Sequence, residues 1–324
     1  MANQNTVLKD FSLKQTQSVI SCNELLTKHF EDNNILGESK KLKFHGVDGM
    51  DCYNPSKPFS SAGKTIMAVR VEPREDGLAS NTMFFEDLGN DEWKLIEDAP
   101  VFKMQDPCVC FINGLLVVGG IVVVFDENGG CGGWYMDFYK GKDIYSLEKF
   151  VTGPMCMKDI RFAQLENSKI GIFTRPHGLP DAHAKIGFIK ADSFEEITTE
   201  FIAGATNFND QFLPKEWGGA NEIIPLNNGL LGVVGHIAQM TDAEIRHYYS
   251  MVFLLNPNTM EKSEIKIIAC RDDFVKGSTK EDILADVLFT GGLEVNEDGT
   301  ATLYTGVSDA ETHKILIENP FMGL

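Results

Sequence analysis

What most constrains this chain is a recurrence. From about residue 40 onward, short β-branched and aromatic runs alternate with Gly, Asn, Asp and Pro. "KTIMAVRVE", "NTMFFED", "GLLVVGGIVVVFD", "GWYMDFYKG", "KIGIFTRP", "GLLGVVGHIA", "YYSMVFLLN" and "ATLYTGVS" are examples. Helical periodicity is scarce in the same region, so the fold class is all-β. "GKDIYSLEKF", "KADSFEEIT" and "NPNTMEKSEI" each place a polar turn and a short strand start after a strand. Their spacing of about 50 residues is the scale of a four-stranded propeller blade. Dividing 324 residues by blades of ~50–60 leaves a tail and gives five blades. The repeat alone leaves a sandwich or two small barrels open. The expected organisation is an N-terminal extension, 1–35, with a short amphipathic helix packed on the rim, and one propeller domain, 36–324.

Within the recurrence, "QDPCVCFINGLLVVGG" is odd. Asp106 and Pro107 stand immediately before an apolar run. Proline cannot donate to a sheet ladder, and a carboxylate gains nothing at the edge of a core. The pair must therefore be explained by something other than packing.

Charge narrows the partners. The formal net charge of −18 argues against nucleic acid and anionic membranes, which both need basic surface. Any anionic substrate then requires a local cationic pocket. Seven cysteines with no C-x-x-C pair fit reduced cytoplasmic thiols better than a disulfide framework or a zinc site. The apolar run "GLLVVGGIVVVF" is too short to span ~30 Å of hydrocarbon, and no signal-length stretch opens the sequence. Dinucleotide, P-loop, serine-hydrolase and zincin signatures are absent. "ENGGCGGW" has the wrong spacing for a phosphate cradle and reads as a blade loop.

What remains is a series of polar residues at strand starts or inside apolar strands. They are Asn54, Arg70 and Glu72, Asp106, Lys158, Asp159 and Arg161, Arg175 and His177, Glu222, His236, and Asp309. Each alone reads as a satisfied structural group. Together they fall in successive repeats, and a propeller aims its innermost strands at one central channel. A ring of mixed charge there is either a structural network or a polar active site, and one element per repeat favours the site.

The ordered series "YNP", "RVE", "DP", "KDIRF", "TRP", "GHIA" and "GVSDAE" resembles the five-bladed β-propeller mannoside phosphorylases and their hydrolytic relatives. "DCYNPSKPF", "RVEPRED", "WGGANEI" and "LFTGGLEVNEDGTATLYTGVSDAE" look closest to the mannogen-type β-1,2-mannosyltransferase/phosphorylases. The resemblance spans about residues 40 to 320. It implies that Asp106 is the single catalytic acid, protonating the departing glycosidic oxygen through the sugar's own 3-hydroxyl. It implies that Asn54, Arg70 and Asp309 hold the mannose of the −1 subsite, and that Lys158, Arg175 and His236 are cationic positions holding phosphate. Glu72, Asp159 and Glu222 join the substrate-binding candidates. The expected partners are a β-mannooligosaccharide with phosphate or mannose 1-phosphate. Phosphate is a co-substrate, and no cofactor or metal is called for.

The chemistry of inversion agrees. An acid is needed on one face of the sugar and a nucleophile on the other. Water must be activated by a base, whereas phosphate is already anionic and needs positioning and charge neutralisation. One acid plus a Lys/Arg/His cluster therefore reads as phosphorolysis. A carboxylate at Asp159 or Glu222 could serve as a water-activating base, so hydrolysis stays open. Transfer from a nucleotide-mannose donor also stays open, as does a non-catalytic glycan-binding propeller.

Overall fold

The computed structural model describes residues 19–176, 184–241, 244–322 and 324. His177 lies outside the described residues, as does most of the expected extension, 1–18. The protein is built from antiparallel β-strands, with a helix at Cys22–Asp32 and a five-residue one at Thr199–Ala203.

Local chemistry explains the strands. Runs such as Leu231–Met240 are buried on both faces and read as continuous apolar sequence. Asn113 and Gly114 (φ 51° and 78°) make the two-residue turn between Gln105–Ile112 and Leu115–Phe125, and both left-handed residues suit the twist of a hairpin.

The strands form four sheets rather than one sheet per repeat. Three sheets cover residues 43–95, 105–152 and 157–207. The fourth has eight strands and consists of two antiparallel runs, over 216–269 and 286–318. These are joined by a two-residue parallel pairing, His247 with Asp286 and Tyr248 with Val287. The short strand Lys40–Lys41 pairs with Glu311–Glu318, so an early segment completes the last run.

Apolar packing lies between the runs. Phe84 packs with Leu116 and Val118; Met136 and Phe138 pack with Phe162 and Ile172. Phe173 packs with Ile237 and Phe253; Val252 packs with Leu288 and Leu303. The remaining cluster joins Met67, Val69 and Phe85 to Tyr304, bringing the first run against the last. From the second run to the fifth, the first strands of neighbouring runs also lie beside one another.

The N-terminal helix starts at a capping box, Ser21 with Glu24, and ends on Asn33 in the left-handed conformation. Its buried face, Cys22, Leu25 and His29, packs on the 216–269 run. The Cys22 amide donates to Glu216 (2.7 Å), and His29 Nε2 lies 2.8 Å from Asp273 Oδ2. No helix among the described residues is long and apolar enough to cross a membrane. All seven cysteines are free thiols.

Candidate active site

The first strand of each run is interrupted in mid-pairing. Register slips between Gln105 and Cys108, Lys158 and Arg161, Ala220 and Glu222, and Thr290 and Gly292. In the first run, pairing stops at Tyr53, opposite Arg70, and resumes at Phe59, opposite Ile66. A bulge leaves a residue unpaired and re-aims its side chain. Asn54, Asp106 and Asp159 occupy three of these breaks, at φ 48°, 50° and 54°. Asn and Asp are the side chains that tolerate this left-handed backbone best. Pro107 sits in the same bulge as Asp106, where its missing N–H costs no ladder bond. The carboxylate stands at the strand start because the strand there is bent to present it.

The breaks at Asn54, Asp106 and Asp159 open onto one cavity of about 270 Å³. Asn54, Arg70, Asp106, Lys158, Asp159, Arg175, His236 and Asp309 all line it, contributed by all five runs. Two glycines packed behind its lining side chains are obligatory. A Cβ on Gly219 would collide with the Asp159 carboxylate and His236, and one on Gly306 with the Asn54 amide.

One face is acidic. Asn54 Nδ2 donates to Asp106 Oδ1 at 2.8 Å, and Arg70 Nη1 donates to the same oxygen at 3.0 Å. Both bonds fall on Oδ1, so Oδ2 keeps its capacity to carry a proton. Arg70 is held from behind by Glu72, with Nε and Nη2 at 2.9 and 2.8 Å from Oε2, and stacks on Tyr53. Glu72 is fully buried and also takes Tyr53 Oη (2.5 Å), Ser80 and Lys280. It does not line the cavity. The expectation that Glu72 binds substrate is therefore corrected: it fixes the guanidinium that holds Asp106. Burial, with Asp106 nearby, raises the Asp309 carboxyl, while Arg70 opposes the rise.

The opposite face is cationic. Burial alone would raise the Asp159 carboxyl, but Arg175, His236, Arg161 and Lys158 hold it well below the usual carboxylate range. Its Oδ2 is 2.5 Å from Arg175 Nε. Lys158 stands over the Trp134 ring at 5.5 Å and has no carboxylate within ion-pair distance among the described residues. Burial and the charge of Arg175 push its pKa down, as expected of a cation short of counter-charge. Arg161 is bonded to backbone oxygens of Asn221 (2.7 Å) and Ile160 (2.9 Å).

His236 departs from expectation. Burial, with Arg175 and Lys158 beside it, pushes its pKa down to about 3 against the pull of Asp159. The imidazole is neutral at pH 7, with Nδ1–H donating to Asn221 Oδ1 at 2.8 Å. Nε2 is buried without a hydrogen-bond partner. A neutral ring offers that nitrogen as an acceptor rather than as a cation.

Glu222 is elsewhere. It lines a second cavity of about 180 Å³ with Cys108, Cys110, Phe111 and Arg161. There it pairs with Lys57 and accepts the Leu293 amide at 2.6 Å. It lies three residues beyond Gly219 on one strand, about 10 Å farther along. Expected as a substrate ligand or base, it is placed instead as half of a closed ion pair.

Sequence reasoning missed Lys280, which reaches Glu72 from the 275–285 connection, and Tyr53, Ser80, Asn221, Trp134, Arg246 and Tyr248. Tyr53 and Asn221 adjoin singled-out residues, and Arg246 opens its strand as Asp106 does. Lys280 carries no such signal.

The family model described as "Protein of unknown function (DUF1861)" matches residues 28–323. A mannose phosphorylase from Leishmania mexicana, solved in complex with phosphate ion, is 35% identical with a TM-score of 0.85, covering 91% of this chain and 92% of that one. A GDP-Man-dependent mannosyltransferase from Leishmania mexicana is 32% identical with a TM-score of 0.84, covering 92% and 94%. A β-1,2-mannobiose phosphorylase from Listeria innocua shares the fold at 15% identity, with a TM-score of 0.61 over 84% of this chain and 91% of that one. No curated protein sequence matches.

Proposed function

The chain belongs to the DUF1861 family and to one family with the two Leishmania mexicana enzymes, and on that premise we propose that it is an inverting β-1,2-mannoside phosphorylase. The observation that carries the reading is the charge on the face opposite Asp106. Arg246, buried Arg175 and half-buried Lys158 line that part of the cavity, and among the described residues Asp159 is the carboxylate paired there. Phosphate supplies the missing negative charge. The two residues that would make a water-activating base fit the task poorly. Asp159 is bound to Arg175, and Glu222 opens on the other cavity.

In this mechanism Asn54, Arg70 and Asp309 hold the terminal mannose. Asp106 delivers its proton toward the glycosidic oxygen while a phosphate oxygen attacks C1 from the Lys158–Arg175 face. The C1–O bond to the leaving sugar breaks, a C1–O–P bond forms, and β-mannoside becomes α-mannose 1-phosphate. His236 Nε2 accepts from a protonated phosphate oxygen. Reversed, the Asp106 carboxylate takes the acceptor's proton.

The scaffold we propose for this is one five-bladed propeller over 36–324. The eight-stranded sheet counts as two blades, and the five apolar clusters run as seams between successive blades. Lys40–Lys41 closes the ring, and the helix at Cys22–Asp32 belongs to an extension docked outside it. Free thiols throughout suit the cytoplasm.

The family premise also carries a second reading, transfer from a nucleotide-mannose, with the donor's phosphate on the same cationic face. Incubating the purified protein with β-1,2-mannobiose, with and without phosphate, tests both. The expected result is mannose 1-phosphate, formed only with phosphate. Free mannose at full rate without phosphate means hydrolysis. Elongation only from a nucleotide-mannose means the transferase, and no turnover of any of these means a binding propeller.

A further inference from the structure

Asp106 is held by a chain of charges that leaves the cavity and ends on a connection between two other runs. Asp106 Oδ1 accepts from Arg70, and Arg70 is gripped from behind by Glu72 Oε2. The other oxygen of Glu72, Oε1, is paired with Lys280. Glu72 is fully buried, and a carboxylate out of water must be neutralised. The guanidinium serves two carboxylates at once, so it leaves part of that charge unmet. Lys280 supplies the second cation. Its Nζ also lies 3.3 Å from Tyr53 Oη, and a Cβ on Gly77 would stand only 2.8 Å from it. The connection that carries Lys280 is fixed on both sides. Ser278 donates its amide and hydroxyl to Glu311 Oε1 at 3.0 and 2.7 Å, and the Lys280 amide donates to the Ser308 carbonyl at 3.1 Å. From the first run, Arg74 Nη1 donates to the Thr279 carbonyl at 3.2 Å.

We infer that Lys280 is a positioning residue for Asp106, acting through Glu72 and Arg70. Its consequence for rate rests on the reading of Asp106 as the acid. Lys280 does not line the catalytic cavity, so it acts at a distance from the sugar. With Lys280 in place, Glu72 is satisfied at both oxygens and Arg70 Nη1 is left for Asp106. Without it, the whole charge of Glu72 falls on Arg70 and draws the guanidinium back from Asp106 Oδ1. Misplacing a reacting group by about 1 Å costs up to ~10²-fold in rate. The placement of the acid thereby depends on the connection that ties the first run to the last.

Two cycles test this, each built from wild type, Lys280→Met, Asp106→Asn and the double variant. The first needs no turnover. In equilibrium urea melts the two single effects on the unfolding constant should fail to multiply, with a coupling of roughly fivefold or more. Effects that multiply overturn the inference, whatever reaction the protein catalyses. The second cycle reads phosphorolysis of β-1,2-mannobiose. Lys280→Met should lower kcat roughly ten- to a hundredfold while the KM for phosphate stays within about twofold. In the Asp106→Asn background the same substitution should change kcat by less than about threefold, because no acid is left to misplace. A merely structural lysine would slow both backgrounds by the same factor, and that result overturns the inference. Lys280→Arg keeps the cation and should return kcat to within a few-fold of wild type. If Lys280→Met does not fold, Lys280→Gln, which keeps a donor for Glu72 without the charge, carries both cycles. An Asp106→Asn protein of near wild-type activity beside coupled melts would count against Asp106 as the acid and not against its attachment to Lys280.

Discussion

Two cavities share the strands Gln105–Ile112 and Met157–Gln164 in their linings, and they differ in charge balance. In the smaller, Glu222 and Lys57 neutralise one another and Leu293 caps the carboxylate. In the larger, Arg175 is matched by Asp159, Lys158 has no carboxylate within ion-pair distance among the described residues, and His236 keeps a buried nitrogen without a hydrogen bond. A mixed-charge cluster is therefore not a site by composition. The uncompensated remainder is what a ligand completes.

The sharpest test of that contrast is Asp106→Asn. The amide keeps the bonds' geometry at Oδ1, so the fold and its melting temperature should persist. The rate of phosphorolysis should fall ~10²–10⁴-fold, the usual worth of a general acid. Activity within a few-fold of wild type would make Asp106 a structural residue like Glu222.

Arg175→Ala comes next. It removes the main cation from the phosphate side only, so the KM for phosphate should rise roughly tenfold or more while the KM for mannobiose moves far less. A matched rise in both would show that the two faces are not separate subsites.

Acid should undo the larger cavity. The His236 pKa is depressed to about 3 from an ordinary 6.5. Between those values the unfolded chain binds a proton that the folded one refuses. Stability is thus present above pH 6.5 and lost as pH falls toward 3, at up to ~1.4 kcal/mol per pH unit. Asp159, depressed below its ordinary 3.8, adds a loss as pH falls below that value. Urea melts of wild type and His236→Gln from pH 7 to 4 should show a shallower slope in the variant; parallel slopes would mean that the ring is protonated in the fold.

Glu222→Gln should have the smallest effect. Its amide can still accept from Leu293, and Lys57 is part-exposed, so a cost of about 1–2 kcal/mol and a rate within a few-fold of wild type are expected. Loss of turnover with an intact fold would move Glu222 into the chemistry and erase the contrast.

The all-β class was legible because the strand signal recurs along the chain. So was the set Asn54, Asp106, Lys158, Arg175, His236 and Asp309, since each stands within or immediately beside an apolar strand. The level of each residue along the channel was not legible. It depends on where the ladder slips, and a bulge has no composition of its own beyond an Asn or Asp that also suits a turn. Glu72 and Glu222 were misjudged for that reason. Lys280 arrives from a connection paired to nothing in the pattern, and the neutrality of His236 follows from burial beside two cations that only the folded chain assembles. The sheet count differed because two parallel residue pairs weld neighbouring runs, a contact too short to leave a periodicity.

The pairing of Lys40–Lys41 with the last run sets a timetable for synthesis. The early strand has no partner until residues 311–318 have emerged, so it waits through nearly the whole of translation. Apolar seams along the way can form in sequence, but the one joining Met67 to Tyr304 belongs to the final step. A catalytic cavity lined from every run is consequently not assembled piecemeal. A ribosome-bound fragment lacking the last run has most of its sheets and no enzyme, and a closing step that joins residues so far apart in sequence is a slow one.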